Sequence, residues 1–174
     1  MRVFGLEIPD AGPVFAVALV LHVAAGLTCV AAGTLAATAR KERGRNPRAG
    51  RVYLYGLGVV FMTATVMSVI RWPHDAHLLA VAVVASGLGM TGWWARQRRG
   101  RGWVRWHAIG MGGSFIALLT GFYVDNGPQL PVWDRLPPIA FWFLPAAVGI
   151  PLLYFAVRRF TRPVTPRRGP AAPN

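Results

Sequence analysis

Acidic charge is nearly missing from this sequence. Six Asp and Glu stand against nineteen Lys and Arg, a formal charge of +13 over 174 residues. Charge of either sign is scarce too, at 14% of residues, where a soluble domain usually carries about a quarter. Cysteine occurs once, as Cys29, which excludes an internal disulfide, a thiol-pair zinc site and a C-x-x-C redox motif. There is no H-E-x-x-H, no G-x-S-x-G and no phosphate-binding glycine loop, and no Asp or Glu lies inside an apolar run. The usual hydrolase and transferase constellations are therefore absent. What the chain does hold is apolar: 54% hydrophobic residues and a mean hydropathy of +0.41. A globule this small cannot hide so much apolar surface, and a disordered basic tail would be poor in it. The solvent that fits is lipid.

Five stretches carry no charge at all: residues 11–39, 52–70, 76–95, 106–124 and 136–157. A bilayer core of roughly 30 Å needs about 20 apolar residues in a helix, so each qualifies alone. Barrel strands would alternate in polarity, and Phe15-Ala16-Val17-Ala18-Leu19-Val20-Leu21 does not. The expectation is an all-α integral membrane bundle of five transmembrane helices, with spans near 13–38, 52–71, 76–95, 105–124 and 138–158. Residues 1–160 form one domain in this reading, and 161–174 a disordered, basic, proline-rich cytoplasmic tail. Sixteen of the nineteen basic residues fall on one side of the membrane if the chain crosses five times. The other side keeps Arg2, Arg71 and Arg135 with five of the six acids. Enrichment of Lys and Arg on the cytoplasmic side then puts the N-terminus outside and the C-terminus inside. The 29-residue first run is longer than a signal-peptide core and is followed, not preceded, by its strongest basic cluster, so it reads as a retained anchor.

Topology thus accounts for most of the basic residues. Their expected partner is the anionic headgroup layer at the cytoplasmic face, not nucleic acid. Inside the bundle, small residues are expected at helix contacts: Gly26 and Gly33 in the first span, Ser86, Gly87, Gly89 and Gly92 in the third, Gly110, Gly112, Gly113 and Gly121 in the fourth. A groove cleared for a flat cofactor such as haem is the alternative. Pro145 and Pro151 are expected to bend the last helix.

Four histidines exist, and polar groups in lipid are costly. His22 sits inside the longest apolar run, and His107 begins the fourth span. These two are the candidate cofactor-binding residues, for haem, quinone or copper with none preferred. Along the membrane normal they differ by about 10 Å or more, which disfavours one iron held by both. His74, Asp75 and His77 share a short turn, and with His22 they make a candidate zinc or copper site. The favoured reading of that turn is headgroup-level residues in contact with water. His22 is then hydrogen-bonded to a neighbouring helix.

A set of segments carries a family likeness: His22-x-x-x-Gly26, Gly50-Arg51-Val52-Tyr53, Thr91-Gly92-Trp93, and His107-x-x-x-Met111-Gly112-Gly113-Ser114-Phe115-Ile116-Ala117-Leu118-Leu119-Thr120. Tyr123-Val124-Asp125-Asn126, Phe143-Leu144-Pro145 and Gly149-Ile150-Pro151 complete it. Together they resemble the bacterial membrane proteins grouped as domain of unknown function 2306, from about His22 to Tyr154. Family members often carry a histidine in the first cytoplasmic loop; the matching place here is Pro47. The resemblance implies a multi-helix membrane fold of the bacterial cytoplasmic membrane and points to His22 and His107. It implies no established reaction. Two functions stay open: a non-catalytic module supporting partner membrane proteins or a homo-oligomer, and a small redox or cofactor-binding protein.

Overall fold

The structure, a computed structural model, describes residues 2–3, 6–7, 11–38, 45–130 and 135–161. Five helices succeed one another: α1 Gly12–Thr38, α2 Arg45–Ile70, α3 Ala76–Arg98, α4 Trp103–Asn126 and α5 Pro138–Thr161. All five are long and apolar enough to cross a membrane. A minimal antiparallel ladder precedes them, β1 Arg2–Val3 against β2 Leu6–Glu7. The tail expected from 161 onward lies, after Thr161, outside the described residues.

The helices outrun the charge-free stretches at several ends. α2 starts at Arg45, where a connection was expected through Arg51. Pro47 falls in its first turn, where a missing N–H costs no helical bond, and Arg48, Ala49 and Arg51 include good helix formers. α3 continues through Arg96 and Arg98, whose charges suit a helix C-terminus. The connection to α4 therefore shrinks to residues 99–102. Arg99 turns left-handed (φ 44°) and its N–H donates to the Ala95 carbonyl at 3.2 Å. Gly102 follows at φ 75°, a conformation glycine adopts without steric cost. Its carbonyl accepts from the N–H groups of Arg105 (3.0 Å) and Trp106 (3.3 Å). At its other end α4 runs past 124 and so carries Asp125 in its last turn.

Contacts between successive helices run in opposite directions along each pair, as antiparallel packing requires. Leu88 meets Gly113 while Gly92 meets Gly110, and Gly112 meets Leu153 while Gly127 meets Phe141. One end of the bundle therefore gathers the starts of α2 and α4 and the ends of α3 and α5, with Arg48, Arg51, Arg96, Arg98, Arg105, Arg158 and Arg159. This is the arginine end; the opposite, turn end holds residues 71–75 and the α4–α5 connection.

The core is drawn from α1 to α4. Cys29, Ala32, Tyr53, Leu57, Val60 and Ala85 form its buried cluster, with Met111 and Phe115 packed against it. α5 packs on α4. Both α1 and α5 turn large apolar side chains outward, among them Val20, Leu27, Phe143 and Phe155. A water-soluble bundle would put these inside; a bilayer accepts them outside.

Candidate functional site

Glycine decides how close α3 and α4 come. A methyl added at Gly110 would lie 2.5 Å from the Gly92 nitrogen, and one added at Gly92 would lie 2.8 Å from the Met111 nitrogen. The two backbones touch. Other glycines are covered by side chains: Gly33 by Phe115, Gly89 by Leu57, Gly112 by Leu153. Gly26, by contrast, has nothing within 4 Å. Except at Gly26 and Gly87, the glycines marked in the sequence serve as helix contacts. In the same core Tyr53 Oη and Ser114 Oγ share a hydrogen bond of 2.8 Å, both groups fully buried. Cys29 Sγ donates to the Tyr53 carbonyl at 3.5 Å and fills the space beside Gly56. Nothing about this thiol asks for chemistry.

His107 closes the α3–α4 pair at the arginine end. Its Nδ1 lies 2.8 Å from the Gly92 carbonyl, and a carbonyl only accepts, so Nδ1–H donates. The ring leans on Trp103, centroids 6.3 Å apart. His107 thus spends one nitrogen on holding the two helices where their backbones already meet.

His22 makes the corresponding tie between α1 and α2. Its Nδ1 is 2.9 Å from Thr63 Oγ1. Thr63 Oγ1 also lies 2.8 Å from the Val59 carbonyl and 3.1 Å from the Val60 carbonyl, so the tie rests on a hydroxyl already anchored to its own helix. Thr63 also lines a groove of about 440 Å³ between the two helices, with Val14, Val17 and Leu21 from α1 and Met62 and Val66 from α2. The partners of His22 and His107 are disjoint. Counted along their helices, the two lie on the order of 15–20 Å apart, and the structure does not bring them to one centre.

At the turn end the three candidate metal ligands take different partners. Asp75 is buried, its carboxylate 3.2 Å from the Arg71 guanidinium, and its carbonyl accepts from Ser68 Oγ at 3.1 Å. His74 is 74% exposed and reaches Asp75 only at 3.9 Å. His77 turns instead to Trp142 on α5, centroids 6.1 Å apart. Among the described residues no three His, Cys, Asp or Glu side chains stand together as a metal would need. The acid that sequence reasoning passed over is Asp125. From the end of α4 it interacts electrostatically with Asp75, His22, His77 and Arg71. Arg71 in turn lies over the Phe15 ring of α1 at 5.8 Å. Arg71 and Asp75 therefore join the α2–α3 turn to the start of the first helix at the turn end.

The signal for Asp125 was weak because it follows Val124, the last residue of a charge-free run. The Thr63 partner of His22 had none, since a threonine in an apolar helix usually bonds its own backbone. No family model, curated protein or solved structure matches the chain.

Proposed function

We propose that this chain is a five-span protein of the bacterial cytoplasmic membrane that acts as a non-catalytic module for partner membrane proteins. Its arginine end would face the cytoplasm and anionic headgroups, and its N-terminus the outside. The filled interior is the observation that carries this reading. Four glycines with room for a flat cofactor, Gly33, Gly89, Gly92 and Gly110, are closed by Phe115, Leu57 and the facing backbone. Both membrane-embedded histidines are engaged in tying helices together. Kinship with domain of unknown function 2306 belongs to the same proposal. In its favour, Tyr53 and Ser114, drawn from two of the shared segments, meet as a buried pair.

A second reading is a small membrane protein that binds haem, quinone or copper through His22 or His107. One observation favours it: His22 and Thr63 bring polar atoms to the edge of an apolar groove. An absorption spectrum and metal analysis of detergent-purified protein separate the two. A module shows no Soret band and no stoichiometric metal; a Soret band, or one copper per chain, overturns it. The orientation has its own test, in a Cys29→Ala background. A cysteine at Pro128 should react with an impermeant maleimide on intact cells, and one at Gly100 only after permeabilisation. The reverse pattern overturns the orientation.

A further inference from the structure

The arginine end carries positive charge that no described residue answers. Among the described residues of the five helices and their turns the acids are Asp75 and Asp125, both toward the turn end, and the ion pairs are those of Asp75. The α3–α4 pair shows where this charge gathers. Its contact line is fixed by Gly92 against Gly110, and one of its flanks by Leu88 against Gly113. At about 100° per residue, Arg98 and Arg105 each turn about 120–140° from that line. The helices are antiparallel, so both arginines turn to the Leu88–Gly113 flank, and both are exposed. They stand at one level, roughly 7 to 9 Å of helix beyond the glycine crossing. Trp94 and Trp106 share the flank, 54% and 57% exposed, and Arg98 Cζ lies over the Trp94 ring at 5.2 Å. By the same count Arg96 and His107 turn to the opposite flank.

A guanidinium held by its face to an aromatic ring keeps its N–H edge for an acceptor, and that edge suits phosphate. Side chains lean toward the N-terminus of their helix. Arg98 therefore leans back over the apolar part of α3 while Arg105 leans outward, and an acceptor between them sits at the edge of the apolar zone. Below it, on the same flank, Val84 and Gly87 are exposed, and Gly87 has nothing within 4 Å. We infer that this flank holds one phosphatidylglycerol, its phosphate between Arg98 and Arg105 and an acyl chain along Val84 and Gly87. The inference rests on reading the arginine end as the one that faces the headgroups. A zwitterionic headgroup would bring its cation into this cluster with no carboxylate to receive it. The two tryptophan N–H groups are further donors, to the phosphate or to the glycerol hydroxyls.

The test is native mass spectrometry of the delipidated chain in detergent with phosphatidylglycerol, phosphatidylethanolamine or phosphatidylcholine added back. Phosphatidylglycerol should be retained roughly tenfold more than either of the others, the factor a single charge-assisted contact supplies. Arg98→Gln and Arg105→Gln should each remove that preference. Arg96→Gln takes the same charge from the opposite flank and should keep it. Excess inorganic phosphate should not displace the lipid, because it makes no use of Val84 and Gly87. Thermal unfolding identifies a folding defect, and should one of the two flank variants misfold, the other decides. Equal retention of the three lipids, an equal loss in Arg96→Gln, or displacement by inorganic phosphate would each overturn the proposal. Retention in detergent does not depend on which way the chain is inserted. Reversed cysteine labelling with the lipid preference intact would therefore overturn the orientation alone.

Discussion

The α1–α2 and α3–α4 hairpins are both built from apolar helices of membrane-crossing length and close in different ways. α3 and α4 are joined by four residues, and glycine faces glycine where they cross, so the backbones themselves are in contact. His107 then bonds the backbone carbonyl of Gly92 at that crossing. α1 and α2 meet in their arginine-end half through Cys29 against Gly56 and in their turn-end half through His22 and Thr63. On the outward side of the turn-end half, Val14, Val17 and Leu21 of α1 and Met62 and Val66 of α2 line an open apolar groove. There the tie is side chain to side chain, His22 to Thr63, and it borders a groove. Small residues fuse a helix pair, and large ones leave a surface that something else must cover.

The largest effect should come from forcing the fused pair apart. Gly110→Val puts a side chain where the Gly92 backbone already stands, so it should cost about 3 kcal/mol or more, or prevent folding. Gly26→Ala, placed in open space on α1, should cost nothing and can gain up to about 1 kcal/mol of helix propensity. Thermal unfolding in detergent with size-exclusion profiles reads both. Similar losses at the two positions would mean that α1 has a packing partner outside this chain.

A middle-sized effect should distinguish the two polar ties between helices. Tyr53→Phe and Ser114→Ala each leave a buried hydroxyl to find a new partner. Their double-mutant cycle should show a coupling of about 1 to 2 kcal/mol. The cycle of His22→Ala with Thr63→Ala should show less, under about 1 kcal/mol, since Thr63 keeps its bond to Val59 and the charged groups nearby can rearrange. A larger coupling for His22 and Thr63 would make the groove edge as rigid as the core. The case for an adaptable ligand site there would then weaken.

The sequence made the five helices plain, because length and charge exclusion in lipid leave few alternatives. Their ends were less plain. Arg45–Arg51 and Arg96–Arg98 read as connections by charge, yet arginine propagates a helix well and can do so in the headgroup layer. Glycine positions predicted contacts without partners: nothing in the spacing says that Gly92 meets Gly110 while Gly26 meets nothing. The histidines were visible as costly residues, but their partners were a threonine and a backbone carbonyl, both invisible to pattern. Asp125 was hidden by one residue, at the boundary where an apolar run stops and a helix does not.

The smallest expected effect concerns the one flaw visible in the better-packed pair. Ser86 Oγ on α3 is a buried side-chain oxygen with no hydrogen-bond partner among the described residues. Its neighbours one helical turn to either side, Ala82 and Gly89, are buried and apolar or small. A hydroxyl left unsatisfied in such surroundings costs free energy, and alanine is the better helix former by a few tenths of a kcal/mol. Ser86→Ala should therefore leave the isolated chain as stable or more so, by about 0.5 to 1 kcal/mol. The opposite sign would be the more informative result. A loss of stability or of oligomer in Ser86→Ala would mean that the hydroxyl has a partner from outside the chain. The α3–α4 pair would then be an open interface rather than a finished one, and the contrast with α1 and α2 would reverse.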